Sequence, residues 1–136
     1  MQKLVRNVLI FVVLMGLLVG CGNSQKEVKK VKNLDYTVVT AEEIPEELKV
    51  SLEERKAEPF KITYVDQGYL YICVGYGEQA TGGYSITVKE LYLTDNAIYV
   101  DTNLKGPSPE ELQNPVKSYP YIVLKTENMD KTVVFE

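Results

Sequence analysis

Histidine and tryptophan are both absent from the 136 residues, and cysteine occurs only twice, at Cys21 and Cys73. Without histidine there is no Ser-His-Asp or Cys-His nucleophile system and no His-ligated zinc. Two cysteines build no disulfide framework, so an apolar core must hold the fold. Carboxylates, lysines and tyrosines remain, yet they form no catalytic set. The acidic pairs Glu42-Glu43, Glu46-Glu47 and Glu53-Glu54 fall on a solvated helix, where nothing drives two pKa values apart. Asp95-Asn96 and Asp101-Asn103 lack the spacing of a calcium loop and sit where turns favour Asp and Asn. The sequence therefore reads as a protein without enzymatic activity, cofactor or metal.

Long apolar runs are equally scarce. The one that exists, Val8 to Leu18, comes after Lys3 and Arg6 and ends in Leu18-Val19-Gly20-Cys21. A positive start, a short apolar stretch and small residues at a cut site make a secretory signal. It is too short for a permanent span, which takes about 20 apolar residues. The segment resembles a bacterial lipoprotein signal with its lipobox. That resemblance implies cleavage after residue 20 and a diacylglyceryl thioether on Cys21, and two acyl chains anchor stably. The expected place is the extracytoplasmic face of the cell membrane.

Residues 1–20 read as signal, 21–33 as a lipidated flexible tether and 34–136 as one β-rich domain. Losing Lys3 and Arg6 takes the formal charge from −4 to −6, and residues 22–33 carry a local +3, so the domain stands at −9. A basic tether suits anionic head groups. The acidic body excludes nucleic acid as a partner, because phosphate binding needs a basic patch.

Within the domain, Asp35 to Thr40 predicts a first strand. Pro45 to Ala57 predicts the only helix, with Ile44, Leu48 and Leu52 on one stripe. Val50 lies off that stripe and suggests a wider packing face. Strands are expected at 60–65, 69–74, 85–93, 97–100, 121–124 and 132–135. Turns at Asp66-Gln67-Gly68, Thr94-Asp95-Asn96 and Asn128-Met129-Asp130 separate some of them. Tyr69 to Val74 is apolar throughout, the mark of a strand buried on both faces or covered on one by Tyr rings. Cys73 lies within it and reads as a small buried hydrophobe. The prolines at 107, 109, 115 and 120 interrupt the series, and Ser108-Pro109-Glu110-Glu111 has the form of a capped helical turn. The expected fold is mainly β (α+β): a small antiparallel β-sandwich or partly open barrel with one short N-terminal helix.

Between two of the strongest strands, residues 75–84 hold four glycines. A hairpin connection that needs Gly for geometry accounts for most of this. No phosphate-binding pattern is present, since Gly83 leads into a strand and not a helix. Gly77, Thr81-Gly82-Gly83-Tyr84-Ser85-Ile86 and the later Ser118-Tyr119-Pro120-Tyr121-Ile122-Val123 resemble the C-terminal domain of the PrcB family. The family is named for a bacterial lipoprotein that binds and stabilises a surface protease. The resemblance implies a protein-binding module docked on an exported partner such as a protease. Its contact loop would comprise Gly77, Thr81, Gly82, Gly83 and Tyr84. T-G-G-Y is also similar to the T-T-G-Y loop of chagasin-like protease inhibitors. That family's flanking pattern is not matched, which makes inhibition the second reading. A His-independent surface hydrolase stands behind both.

Overall fold

The computed structural model describes residues 29–110, 112 and 115–136. The expected signal, Cys21 and most of the tether lie outside them, as does Glu111 of the expected helical turn. Among the described residues no helix is long and apolar enough to cross a membrane.

Asp66, Gln67 and Gly68 turn the chain as expected. Gln67 and Gly68 both take positive φ, 49° and 82°, the backbone of a two-residue hairpin loop. The hairpin joins β3 (Pro59–Asp66) to β4 (Tyr69–Tyr76) in unbroken register, Asp66 opposite Tyr69 and Phe60 opposite Gly75. β4 also pairs with β7 (Tyr121–Glu127), which pairs with the two-residue β2 (Thr37–Val38). These four strands make one sheet in the order β2-β7-β4-β3. The second sheet runs β1-β5-β6-β8, from β1 (Lys32–Asn33), β5 (Ser85–Leu93), β6 (Ala97–Lys105) and β8 (Thr132–Phe135).

The sheets stack as a sandwich and do not close into a barrel. Leu70, Ile72 and Val74 of β4 meet Leu91, Ile98 and Val100 of the other sheet in one core. Tyr71 and Cys73 point the other way, into a second core under α1 (Glu46–Arg55). Leu48 and Leu52 of α1 are 1% and 0% exposed there. Two apolar coverings explain why β4 has no polar face. The helix stripe is narrow: Val50 is 56% exposed, so the packing face is no wider than Ile44, Leu48 and Leu52. Cys73 is fully buried, and burial pushes its thiol up to about 12.

Two features of the strand pairing also differ from the sequence reading. Lys32 and Asn33, expected at the end of a tether, form β1 against Tyr92 and Leu93, and the expected first strand shrinks to β2. The chain from 31 to 39 thereby clasps both sheets. Val31 N–H donates to Leu93 and Leu34 N–H to Leu91, at 2.7 and 3.0 Å; Thr126 Oγ1 donates to the Asp35 carbonyl at 2.8 Å. Leu34 fills the core between them. Second, the sandwich is not wholly antiparallel. The turn at 128–131 carries the chain from one sheet to the other, so β8 runs parallel to β6.

Polar contacts reinforce this frame. Tyr76 and Thr102 share a hydrogen bond of 2.5 Å between the sheets. On the outer face of the second sheet, Tyr92 and Tyr99 stack at 5.2 Å with 4° between their planes. Tyr92 donates to Glu136 at 2.8 Å, and that bond is the first cause raising its hydroxyl to about 12.

Candidate partner-binding loop

Residues 77–84 connect β4 to β5, which lie in different sheets, so the glycine-rich stretch is a crossing between sheets and not the hairpin connection its glycines suggest. Gly77 opens the crossing at φ +78°, and a Cβ there would stand 3.0 Å from the Pro59 ring and nitrogen. Only glycine fits that corner without strain. Gly83 takes φ +83° before the chain enters β5. Gly82 has ordinary φ, and a Cβ there meets nothing within 4 Å. Tyr84 lays its ring 4.0 Å from where a side chain on Gly106 would begin, at the far end of β6.

The loop is pinned along its root. Glu78 N–H donates to Ala57 after α1, at 3.1 Å. Gln79 and Ser118 exchange both backbone bonds, at 2.8 and 3.0 Å, and Tyr76 N–H reaches the Pro120 carbonyl at 3.0 Å. Ser118 Oγ donates to the Thr81 carbonyl at 2.6 Å. Tyr119 donates to Glu78 at 3.1 Å, and Lys117 pairs with the same carboxylate at 3.5 Å. Lys56 lies over the Tyr119 ring at 5.3 Å and holds Glu53 at 2.8 Å, a hydrogen bond that raises the Lys56 ammonium above its ordinary value. The outcome is a ledge of two segments, 77–84 and 117–120, with its root fixed to the helix end.

Of the five residues expected to form the contact, the structure buries two. Gly77 is buried in the corner, and Thr81 is only 8% exposed with its hydroxyl unpartnered among the described residues. The accessible edge is Glu78, Ala80 and Gly83 with parts of Gly82 and Tyr84. Sequence reasoning missed that Glu78, Gln79 and Ser118 form the clamp. The signal available was the polar stretch before Pro120, whose backbone had no strand to pair with inside its own segment.

The other candidates do not join this site. Asp101 pairs with Lys89 at 3.9 Å, and the Asp95 carbonyl accepts from Lys131 at 2.8 Å. A depression of about 430 Å³ lies between β2 and the hairpin end of β4, with Tyr36, Tyr69 and Lys125 in its wall. Lys125 sits there over the Tyr69 ring at 4.1 Å. No residue of the loop lines it.

Residues 70–127 match the family model described as PrcB C-terminal. Neither the curated proteins nor the solved structures contain a match to the chain. The matched stretch runs from β4 to β7 and supplies the two central strands of each sheet, together with the loop and its clamp. The helix and all four edge strands lie outside it.

Proposed function

We propose that this chain, which carries a PrcB C-terminal domain, is a lipid-anchored extracytoplasmic module that docks on an exported protein such as a surface protease and stabilises it. The observation that carries this reading is the Gln79–Ser118 bridge. The two stretches of sequence that mark the resemblance are far apart in the chain, and here they are hydrogen-bonded into one ledge. A pre-ordered ledge loses little conformational freedom on docking. Its glycine edge lets a partner's backbone approach main-chain N–H and C=O groups without a side chain intervening.

Gly82→Val tests the contact, because a Cβ at this position meets nothing within 4 Å. Membrane-associated partners recovered with intact protein and with Gly82→Val are compared by mass spectrometry. The variant is expected to lose an exported protein that the wild type retains; equal recovery removes the loop from the contact. The anchor has its own test. Cys21→Ala is expected to abolish incorporation of a labelled fatty acid and release the protein from the membrane fraction. Equal labelling of both proteins would sink the lipoprotein reading and leave the ledge standing.

A further inference from the structure

The sheets end in four edge strands, and three are short: β1 and β2 have two residues each and β8 has four. β3 is different. It has eight residues in one-to-one register with β4, without a bulge, and among the described residues no strand pairs with its other side. A two-residue hairpin loop closes on a pair that exchanges both backbone bonds, here Asp66 and Tyr69. Alternation along the ladder gives the same status to Tyr64, Ile62 and Phe60. The N–H and C=O groups of Lys61, Thr63 and Val65 therefore face the open edge. Pro59 falls in the same outward set, where its missing N–H costs the ladder nothing. Open edges are ordinarily blunted by brevity, bulges, proline or charge; β3 carries Pro59 at its first position and the single Lys61, and the stretch Ile62 to Val65 holds neither proline nor charge.

We propose that β3 is a self-association edge. Two copies pair their β3 strands antiparallel about a two-fold axis at Thr63, so two four-stranded sheets become one continuous sheet. Thr63 then meets its own copy, and Lys61 meets Val65, giving every outward N–H an acceptor. The charge pattern fits this occupant. Lys61 lies toward one end of a groove of about 400 Å³ between β3 and β8, and Asp130 lines it at the hairpin end, where Asp66 closes β3. Among the described residues Lys61 has no ion-pair partner; Lys131 lines the groove beside Asp130 and keeps its charge, with its ammonium turned to the Asp95 carbonyl. The two-fold axis brings Lys61 of one copy to the hairpin end of the other, where Asp130 lines the groove and Asp66 ends the strand. It also lays the lysine stem over Val65, which is 54% exposed in the single chain. The edge lies outside the stretch that matches the PrcB C-terminal model.

Sedimentation equilibrium of the full chain in mild detergent tests the pairing, beside Thr63→Pro and Thr63→Lys. The proline removes an outward N–H and no bond to β4; the lysine sets like charges opposite each other across the axis. Wild type is expected to be a dimer, and both variants are expected to weaken it by about tenfold or more while keeping the far-ultraviolet circular dichroism of the folded chain; their thermal midpoint falls only by as much as the lost dimer had raised it. If Thr63→Pro unfolds, Thr63→Lys carries the comparison. Thr63→Cys adds a positive readout. A hydrogen-bonded antiparallel pair sets its Cα atoms about 5.5 Å apart, within disulfide reach, so oxidation should give a covalent dimer that wild type does not form. A monomeric wild type overturns the proposal. So does a dimer that persists in Thr63→Lys or fails to cross-link through Thr63→Cys. Growth beyond a dimer overturns it too, since that is the mark of head-to-tail pairing of β3 with β8.

Discussion

Ser118 Oγ donates to the Thr81 carbonyl at 2.6 Å across 37 residues of sequence and ties the two halves of the ledge together. Removing it tests how far the clamp sets the loop. Ser118→Ala leaves the Gln79–Ser118 backbone bridge in place and costs about 1 kcal/mol, the net value of one hydrogen bond. Amide exchange should then accelerate roughly fivefold over 79–84 and stay unchanged in β4. Uniform acceleration along the chain would mean that the bond acts on the whole fold.

The glycines of the loop should separate cleanly on substitution. Gly77→Ala forces an L side chain into φ +78° and against Pro59, so it should lower stability by about 1–3 kcal/mol in urea unfolding. Gly82→Ala meets empty space at ordinary φ and should change stability by less than about 0.5 kcal/mol. Equal losses at both positions would contradict the geometry.

Gly75 lies opposite Phe60 and Tyr121, whose rings stand 6.3 Å apart, and a Cβ there would overlap the Phe60 ring. Phe60 is buried and cannot swing into solvent. Gly75→Ala is therefore expected to cost about 1–3 kcal/mol as overpacking. The double variant Gly75→Ala/Phe60→Leu should recover part of that loss, which a double-mutant cycle measures.

Cys73→Ala should cost about 1–2 kcal/mol through lost burial and a small cavity, with partner docking unaffected. Labelling of native protein should be far slower than of unfolded protein, since the reactive thiolate is scarce and covered. The pH dependence has a fixed sign. Burial raises the folded thiol to about 12, so its contribution is complete below the unfolded value near 8.5 and drains away as pH climbs toward 12. Comparing wild type with Cys73→Ala between pH 8 and 10 isolates this slope from that of the tyrosines.

Much of the architecture was legible because it arises from local chemistry. Leu48 and Leu52 announce a helix with a buried stripe, Asp66-Gln67-Gly68 announces a turn, and the unbroken apolar run from Tyr69 to Val74 announces a strand without a polar face, though not whether tyrosine rings or a second layer cover it. The features that escaped depend on contacts distant in sequence. Lys32 and Asn33 have no strand character of their own and extend only because β5 offers an edge. Asn128 to Lys131 reads like a hairpin turn, yet Val133 and Phe135 find their apolar partners in the opposite sheet, and the chain crosses over to reach them. Thr81 reads as a displayed hydroxyl in a glycine-rich loop. Ser118 draws its carbonyl inward instead, and no local pattern foretells a partner 37 residues away.

The clasp formed by residues 31–39 gives the fold a mechanical order. Tension on the chain from the side of Lys29 first loads the bonds of Val31 and Leu34 to β5, then the burial of Leu34 and the grip of Thr126 on Asp35. These holds belong to different sheets and are met in succession, so they yield in sequence and each absorbs extension before the next is strained. β4, β7 and the ledge at Gly77 lie behind all of them. A tug at the amino-terminal side is spent in an edge that can rezip, while the two central strands and the ledge keep their shape under load.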